Sequence, residues 1–287
     1  MMEPVGPRAN SAHLQQANTV RLEWGPPSVA LVADAVARGE RVLAVVVDVL
    51  SFTTTVSVAL DRGARVHPYR WADGTAAAFA AEHGAVLAVG RRQAAGDPAA
   101  VSLSPGSVRR AEALDAVVLP SPNGSTVTGL LADAGAEVVA ASLRTRAAVG
   151  RWLVDRLVRS AGHPTALVVV PAGERWADGS LRPAVEDLWG AGAVVAAVVD
   201  ELEHRAGPLL LSPEARAALA AWDVVADDVG TALRASASGV ELVEAGFGDD
   251  VDVAAELDAS DLVPLLVDGA FTDATGSAAA GAGHPAS

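Results

Sequence analysis

Two long apolar runs, Val42–Val47 and Ala166–Pro171, are apolar at every position instead of every second one. A strand with one wet face alternates, whereas a strand buried on both faces does not. Shorter Val-rich runs join them. The strands read from the sequence are Val20–Trp24, Val42–Val49, Arg65–Tyr69, Ala85–Val89, Ala116–Leu119, Glu137–Ala141, Ala166–Pro171, Val240–Glu244 and Leu262–Val267. Ala-rich stretches separate them, with helix starts near Pro27, Phe52, Gly74, Ser107, Ser125, Arg146, Pro183, Pro213 and Asp250. Strand–helix alternation implies crossover connections, hence an α/β fold with a mostly parallel or mixed sheet flanked by helices. Residues 1–17 are polar and unpatterned, and residues 272–287 are mainly Ala, Gly, Ser and Pro, so both ends read as disordered. That leaves 18–271 as the folded region. A break near Ser160–Pro164 marks either a division into two subdomains or an ordinary loop, and both readings stay open.

The chain contains no Cys, which excludes disulfides, thiolate metal sites and cysteine-nucleophile chemistry. All 21 basic residues are Arg, so Schiff-base chemistry and a P-loop lysine are excluded as well. An anion site must then be built from Arg, backbone N–H groups or a metal. The formal charge of −14 argues against nucleic-acid and anionic-membrane partners. It also means that an anionic substrate needs a local source of positive charge. Residues 1–18 carry neither a basic start nor an apolar core, and no run is long enough to span a bilayer, so a cytoplasmic location is expected. A homodimer is left open.

Ligands of parallel sheets bind beyond the carboxyl ends of strands, where helices begin. Four such places carry polar residues. At the first, a Val-rich strand runs into Asp48, followed by Ser51, Thr53, Thr54 and Thr55 at a helix start. Asp48 suits metal ligation or attack on phosphorus, and the hydroxyls and free N–H groups suit an oxyanion. The structural alternative is an N-cap cluster with Asp48 bonded to loop amides. A haloacid-dehalogenase arrangement needs a second Asp at position 50, where Leu50 stands. At the second, Asn123, Gly124 and Ser125 open a helix, a pattern that also reads as a plain turn. The third is Gly173, Glu174 and Arg175, followed by Glu186 and Asp187 in a helix's first turn. Three carboxylates in that span suit a hard cation, although acids in a first turn also complement the helix dipole. The fourth is Arg91 and Arg92 after a strand, then Ser104-Pro105, a candidate clamp for an oxyanion. The six His are scattered, and there is no Gly-x-Ser-x-Gly, P-loop or Gly-x-Gly-x-x-Gly motif.

Taken in order, these segments resemble the 2-phosphosulfolactate phosphatase family. The carrying residues are Asp48 with Thr53-Thr54-Thr55, Arg62-Gly63-Ala64, Ser104-Pro105, Asn123-Gly124, Ala172-Gly173-Glu174 and Glu186-Asp187-Leu188 with Ala191-Gly192. Gly246-Phe247 and Asp252 extend the likeness towards the C-terminus. The resemblance implies a phosphoric monoester hydrolase that converts 2-phospho-3-sulfolactate to 3-sulfolactate and phosphate with magnesium. It departs from the family at Ser51, which replaces an Arg, at Arg91, which replaces a Glu, at Leu103 and at Pro122.

The expectation drawn from this is a site in which Asp48, Glu174 and Asp187 are catalytic and converge on one Mg2+, with Glu186 as the alternative third ligand. Substrate contacts are expected from Ser51, Thr53, Thr54, Arg91, Arg92, Ser104, Asn123, Gly124 and Ser125. Arg91 or Arg92 is expected to replace the arginine missing at position 51. The competing reading is a catalytically silent anion binder; acids kept in a site for an anion favour the enzyme.

Overall fold

The structure is a computed structural model, described here for residues 12–70, 74–94, 97, 100–160, 162–203 and 210–275. The strands are β1 (Val20–Leu22), β2 (Arg41–Val47), β3 (Arg65–Tyr69), β4 (Val86–Leu87), β5 (Ala116–Pro120), β6 (Glu137–Ala141), β7 (Thr165–Pro171), β8 (Glu174–Arg175), β9 (Leu181–Arg182), β10 (Pro264–Val267) and β11 (Ala270–Asp273). The helices are α1 (Ser28–Ala37), α2 (Phe52–Asp61), α3 (Gly74–Glu82), α4 (Arg91–Ala94), α5 (Pro105–Arg110), α6 (Gly124–Asp133), α7 (Arg146–Arg159), α8 (Val185–Glu203), α9 (Pro213–Asp223), α10 (Val229–Ala235), α11 (Ala237–Glu244) and α12 (Gly248–Ala254). No helix among the described residues is long and apolar enough to cross a membrane.

Among the described residues, nine strands form one mixed sheet in the order β1-β7-β2-β6-β10-β11-β3-β5-β4. β1, β7, β2 and β6 are mutually parallel, and so are β3, β5 and β4. The C-terminal hairpin β10–β11 joins these blocks through antiparallel pairings to β6 and β3. The blocks therefore run in opposite senses along the sheet. A twist of about 20–25° per strand, summed over the five steps from β2 to β5, turns strand directions by roughly 100–125°. That rotation allows the carboxyl ends of the two blocks to approach each other.

The continuous apolar runs have the expected cause. In β2, Leu43, Val45 and Val47 enter one core with α7, α8 and α9, while Val42, Ala44 and Val46 enter another with α1 and α6. β7 divides the same way, with Leu167 and Val169 on one side and Ala166, Val168 and Val170 on the other. A third core packs α2 against β3 and β5 through Val56, Leu60, Val66 and Leu119.

The structure differs from the sequence reading in three details. Val240–Glu244 is not a strand but lies in α11. Ser236 caps that helix by accepting from the Gly239 N–H at 3.1 Å, and Val240 and Val243 lie half-exposed three residues apart. Cap chemistry outweighs β propensity in so short a run. Thr272 and Asp273 belong to β11 and not to a tail, because the hairpin is what closes the gap between the blocks. Within residues 1–17, Leu14 and Gln15 are buried, and the Gln15 amide exchanges hydrogen bonds with the backbone of Leu22 on edge strand β1. The loop after Ser160 leads into β7, which pairs with β1 and β2, so both halves of the chain share one sheet.

α8 and α9 pack so closely that a Cβ at Gly192 would lie 2.0 Å from the Ala218 carbonyl oxygen. Ala is favoured over Gly inside a helix by about 1 kcal/mol. Here the clash should reverse that sign, and Gly192→Ala should lower the free energy of unfolding by about 1–3 kcal/mol in urea titrations.

Candidate active site

The carboxyl ends of β2, β5 and β7 meet at one rim, and buried carboxylates hold them there. Asp48 follows β2 and is 7% exposed. Its Oδ1 accepts from the Phe52 N–H at 3.0 Å and its Oδ2 from the Gly124 N–H at 3.1 Å. Phe52 and Gly124 are the first residues of α2 and α6, so one carboxylate receives the amino ends of two helices. Gly124 has to be glycine: a Cβ there would lie 2.2 Å from the Phe52 ring and 2.7 Å from Asp48 Oδ2.

Asp187, in the first turn of α8 and 3% exposed, does the same between two other loops. Its Oδ1 accepts from the Val49 N–H at 2.8 Å and its Oδ2 from the Gly173 N–H at 2.9 Å. It thus joins the residue after Asp48 to the residue before Glu174. Glu174 Oε2 accepts from Asn123 Nδ2 at 2.8 Å, and Asn123 precedes Gly124. Asp48, Glu174 and Asp187 therefore lie along one hydrogen-bonded rim, and buried Glu186 is near enough for its charge to act on Asp48 and Asp187.

Like charges in a desolvated pocket favour protonation. Burial, and then the Glu174 and Glu186 charges, push the Asp48 carboxyl up to about 7 against the pull of its two amides. Burial and the charges of Asp48 and Glu186 hold Asp187 well above the usual carboxylate range. Burial also raises Glu174, opposed by the Asn123 amide and by Arg182, its partner across the β8–β9 ladder.

The three-carboxylate cage expected for Mg2+ is not formed. Among the described residues no three acids or histidines are arranged to share a metal ion. Asp48 and Asp187 use both oxygens on backbone N–H groups and so shape the loops. Among the described residues, Glu174 keeps one oxygen without a hydrogen bond, and the carboxylate of Glu186, a residue 2% exposed, accepts none. Mg2+ usually takes only one or two carboxylates and completes its octahedron with water and phosphate oxygens. The donor set fits that lighter mode.

The hydroxyls behave differently from expectation. Thr53, Thr54 and Ser125 are at most 1% exposed and donate to the carbonyls of Asp48, Val49 and Leu119 at 2.7–2.8 Å. Thr55 donates to the Ser51 carbonyl at 2.8 Å. These hydroxyls brace the backbone and are not presented to a ligand. Ser104 caps α5 and donates to Asp250 Oδ1 at 2.5 Å. In each case a buried hydroxyl finds its nearest acceptor within its own turn or in a neighbouring loop.

A cleft of about 540 Å3 opens beside the acids, lined by Leu50, Arg91, Arg92, Glu174, Glu241 and Phe247 among others. Arg91 Nη2 donates to Ser51 Oγ at 2.5 Å, so its guanidinium lies against the loop that follows Asp48. Arg92 is exposed at the rim. Sequence reading missed Arg182 and Asp250, and it named Arg175 without giving it a role. Arg175 donates to Asn123 Oδ1 at 3.2 Å and to the Pro122 carbonyl at 2.8 Å, tying the β8–β9 hairpin to the turn before α6. Gly173-Glu174-Arg175 contained that signal. Arg182 had none, because only the hairpin register places it opposite Glu174.

A folded-state pKa above the unfolded value means that the native protein binds the extra proton. Stability from Asp48 is then fully present below about pH 4 and is lost as pH rises through about 7. Without metal, the stability of Asp48→Asn relative to the parent should improve from pH 4 to 7 by on the order of 3 kcal/mol and level off above that. Urea midpoints at several pH values, with a chelator present, measure it; a flat difference contradicts the buried acid cluster.

The family model described as 2-phosphosulpholactate phosphatase matches residues 31–269. A Deinococcus radiodurans protein described as a probable 2-phosphosulfolactate phosphatase is 31% identical over 233 residues, covering 79% of this chain and 88% of that one. The match takes in the whole rim, from Asp48 through Asn123 and Glu174 to Asp187, together with the Arg91 cleft. The chain belongs to the 2-phosphosulpholactate phosphatase family and, with it, to the phosphoric monoester hydrolases.

Proposed function

We propose that this protein hydrolyses 2-phospho-3-sulfolactate to 3-sulfolactate and phosphate with Mg2+ bound at the acid rim. The observation that carries the reading is Asp48, held by two helix N-termini with a carboxyl poised near 7, beside a cleft that holds guanidinium groups and Glu174. Family membership and the relative's name support the substrate.

Glu174 and Glu186 are the residues suited to hold Mg2+, because their oxygens are the least engaged. When bound, the ion would offset the charge of the acids and of the phosphoryl oxygens. Asp48 is assigned the proton transfer. A water oxygen bonds to phosphorus, its proton passes to Asp48, the ester P–O bond breaks, and Asp48 returns the proton to the departing alkoxide. Burial, the first cause of the raised Asp48 carboxyl, stays in place with the ion bound, and a carboxyl held above its ordinary range suits both halves of that exchange. Arg91, beside Ser51, and Arg92 at the rim are assigned to the substrate's other anionic groups, which the net charge of −14 would otherwise repel.

Asp48→Asn should lower kcat by about 10²–10⁴. Glu174→Gln and Glu186→Gln should instead raise the Mg2+ concentration needed for half-maximal activity. Chelation should abolish phosphate release, and Mg2+ should restore it. Full activity of Asp48→Asn, or indifference to chelators, defeats the reading. Arg91→Ala with Arg92→Ala should mainly raise KM, by about 2–5 kcal/mol of lost binding; unchanged kinetics contradicts their assignment.

A further inference from the structure

Asp250 stands outside the acid cluster and is 2% exposed. Its Oδ2 accepts from Arg91 Nε at 3.0 Å, and its Oδ1 accepts from Ser104 Oγ at 2.5 Å and from the Gly106 N–H at 3.2 Å. One carboxylate thus fastens α4 and the start of α5 to α12. Phe247, immediately before α12, places its ring 5.7 Å from the Arg91 guanidinium carbon. On the other side, Arg91 Nη2 meets Ser51 Oγ at 2.5 Å, and Ser51 Oγ donates to the Leu103 carbonyl at 2.9 Å. Arg91 is therefore held at Nε, at Nη2 and across its face. Its Nη1 takes no hydrogen bond to the described residues, and its side chain keeps 20% exposure in the wall of the cleft.

An unrestrained arginine loses rotamer freedom when it grips a ligand, whereas a pinned fork has already lost it. We propose that Asp250 is a positioning residue that fixes the Arg91 fork, with Phe247 beneath it, to receive the non-reacting oxyanion of the substrate. The class of that group is a carboxylate or a sulfonate, each able to accept two parallel N–H bonds. The proposal rests on the phosphatase reading above and deepens it. The Asp250 charge also offsets that of Arg91, so the subsite selects by hydrogen-bond geometry more than by long-range attraction.

The test compares three phosphoesters under Mg2+: 2-phospho-3-sulfolactate, 2-phospholactate and phenyl phosphate, the last lacking a second acid. Asp250→Asn should raise KM at least about tenfold for an ester that carries the recognised acid, with kcat changed less than about threefold. KM for phenyl phosphate should not move. A rise with 2-phospholactate assigns the carboxylate to the fork, and a rise with the sulfonated ester alone assigns the sulfonate. An equal rise with all three esters, or with none, overturns the proposal. In an Arg91→Ala background, Asp250→Asn should add nothing further to KM, and an additive rise shows a merely structural role. If Asp250→Asn does not fold, Phe247→Leu decides, since it leaves the carboxylate in place; an unchanged KM there overturns the proposal. Absence of turnover of every ester by the unsubstituted protein defeats the phosphatase reading alone. Calorimetric titration with sulfoacetate then decides the fork: binding weakened at least about tenfold by Asp250→Asn supports it, and absence of binding to the parent overturns it.

Discussion

Buried carboxylates that accept backbone N–H groups organise the rim on which the candidate site depends. Asp48 ties α2 to α6, and Asp187 ties the loop after β2 to the loop after β7. An unpaired carboxylate in such a place is strongly disfavoured, and hydrogen bonds from oriented amides recover much of that cost. The recovery is incomplete because burial outweighs those bonds, and like charge adds to it, from Glu174 and Glu186 on Asp48 and from Asp48 and Glu186 on Asp187. The same arrangement that fixes the loops therefore leaves a group with an abnormally high proton affinity. Structural and chemical roles share the same atoms.

This explains why the hydroxyl-rich start of α2 is inward-facing. The helix begins directly beneath Asp48, so Thr53, Thr54 and Thr55 are enclosed by the sheet and by α5. Enclosed hydroxyls donate to the carbonyls of the preceding loop and stiffen it. The loop that presents Asp48 is thereby held from both ends.

Opposed strand blocks are the second feature on which the site depends. Had β3 and β5 continued the parallel sense of β6, twist alone would have carried the start of α6 away from β2. The hairpin β10–β11 reverses the sense, and the accumulated rotation brings Gly124 back to Asp48. A strand pair from the end of the chain thus fixes a contact between residues 48 and 124. On the cleft side, α12 contributes Phe247 and Asp250 from the same C-terminal region, so Arg91 is fixed by sequence far from its own.

The sequence by itself determined the α/β class, because strands without alternation must be covered on both faces, as β2 and β7 are. It also marked Asp48, Asn123 and Glu174, as polar residues following buried strands, and Asp187, as an acid in a helix's first turn. The meeting of Ser51 with Arg91 was suggested only by the family resemblance, as a pair of departures from its pattern. Tertiary structure alone decided the rest. Whether Thr53 faces a ligand or its own loop depends on what encloses it, and no local pattern records that. Val240–Glu244 looked like a strand because five residues, three of them apolar, are too few to show a clear period, and the Ser236 cap settled the matter. Arg182 and Asp250 became visible only through a hairpin register and a contact between residues 91 and 250. Local periodicity records which face of an element is buried; it carries no information about which distant group meets that face.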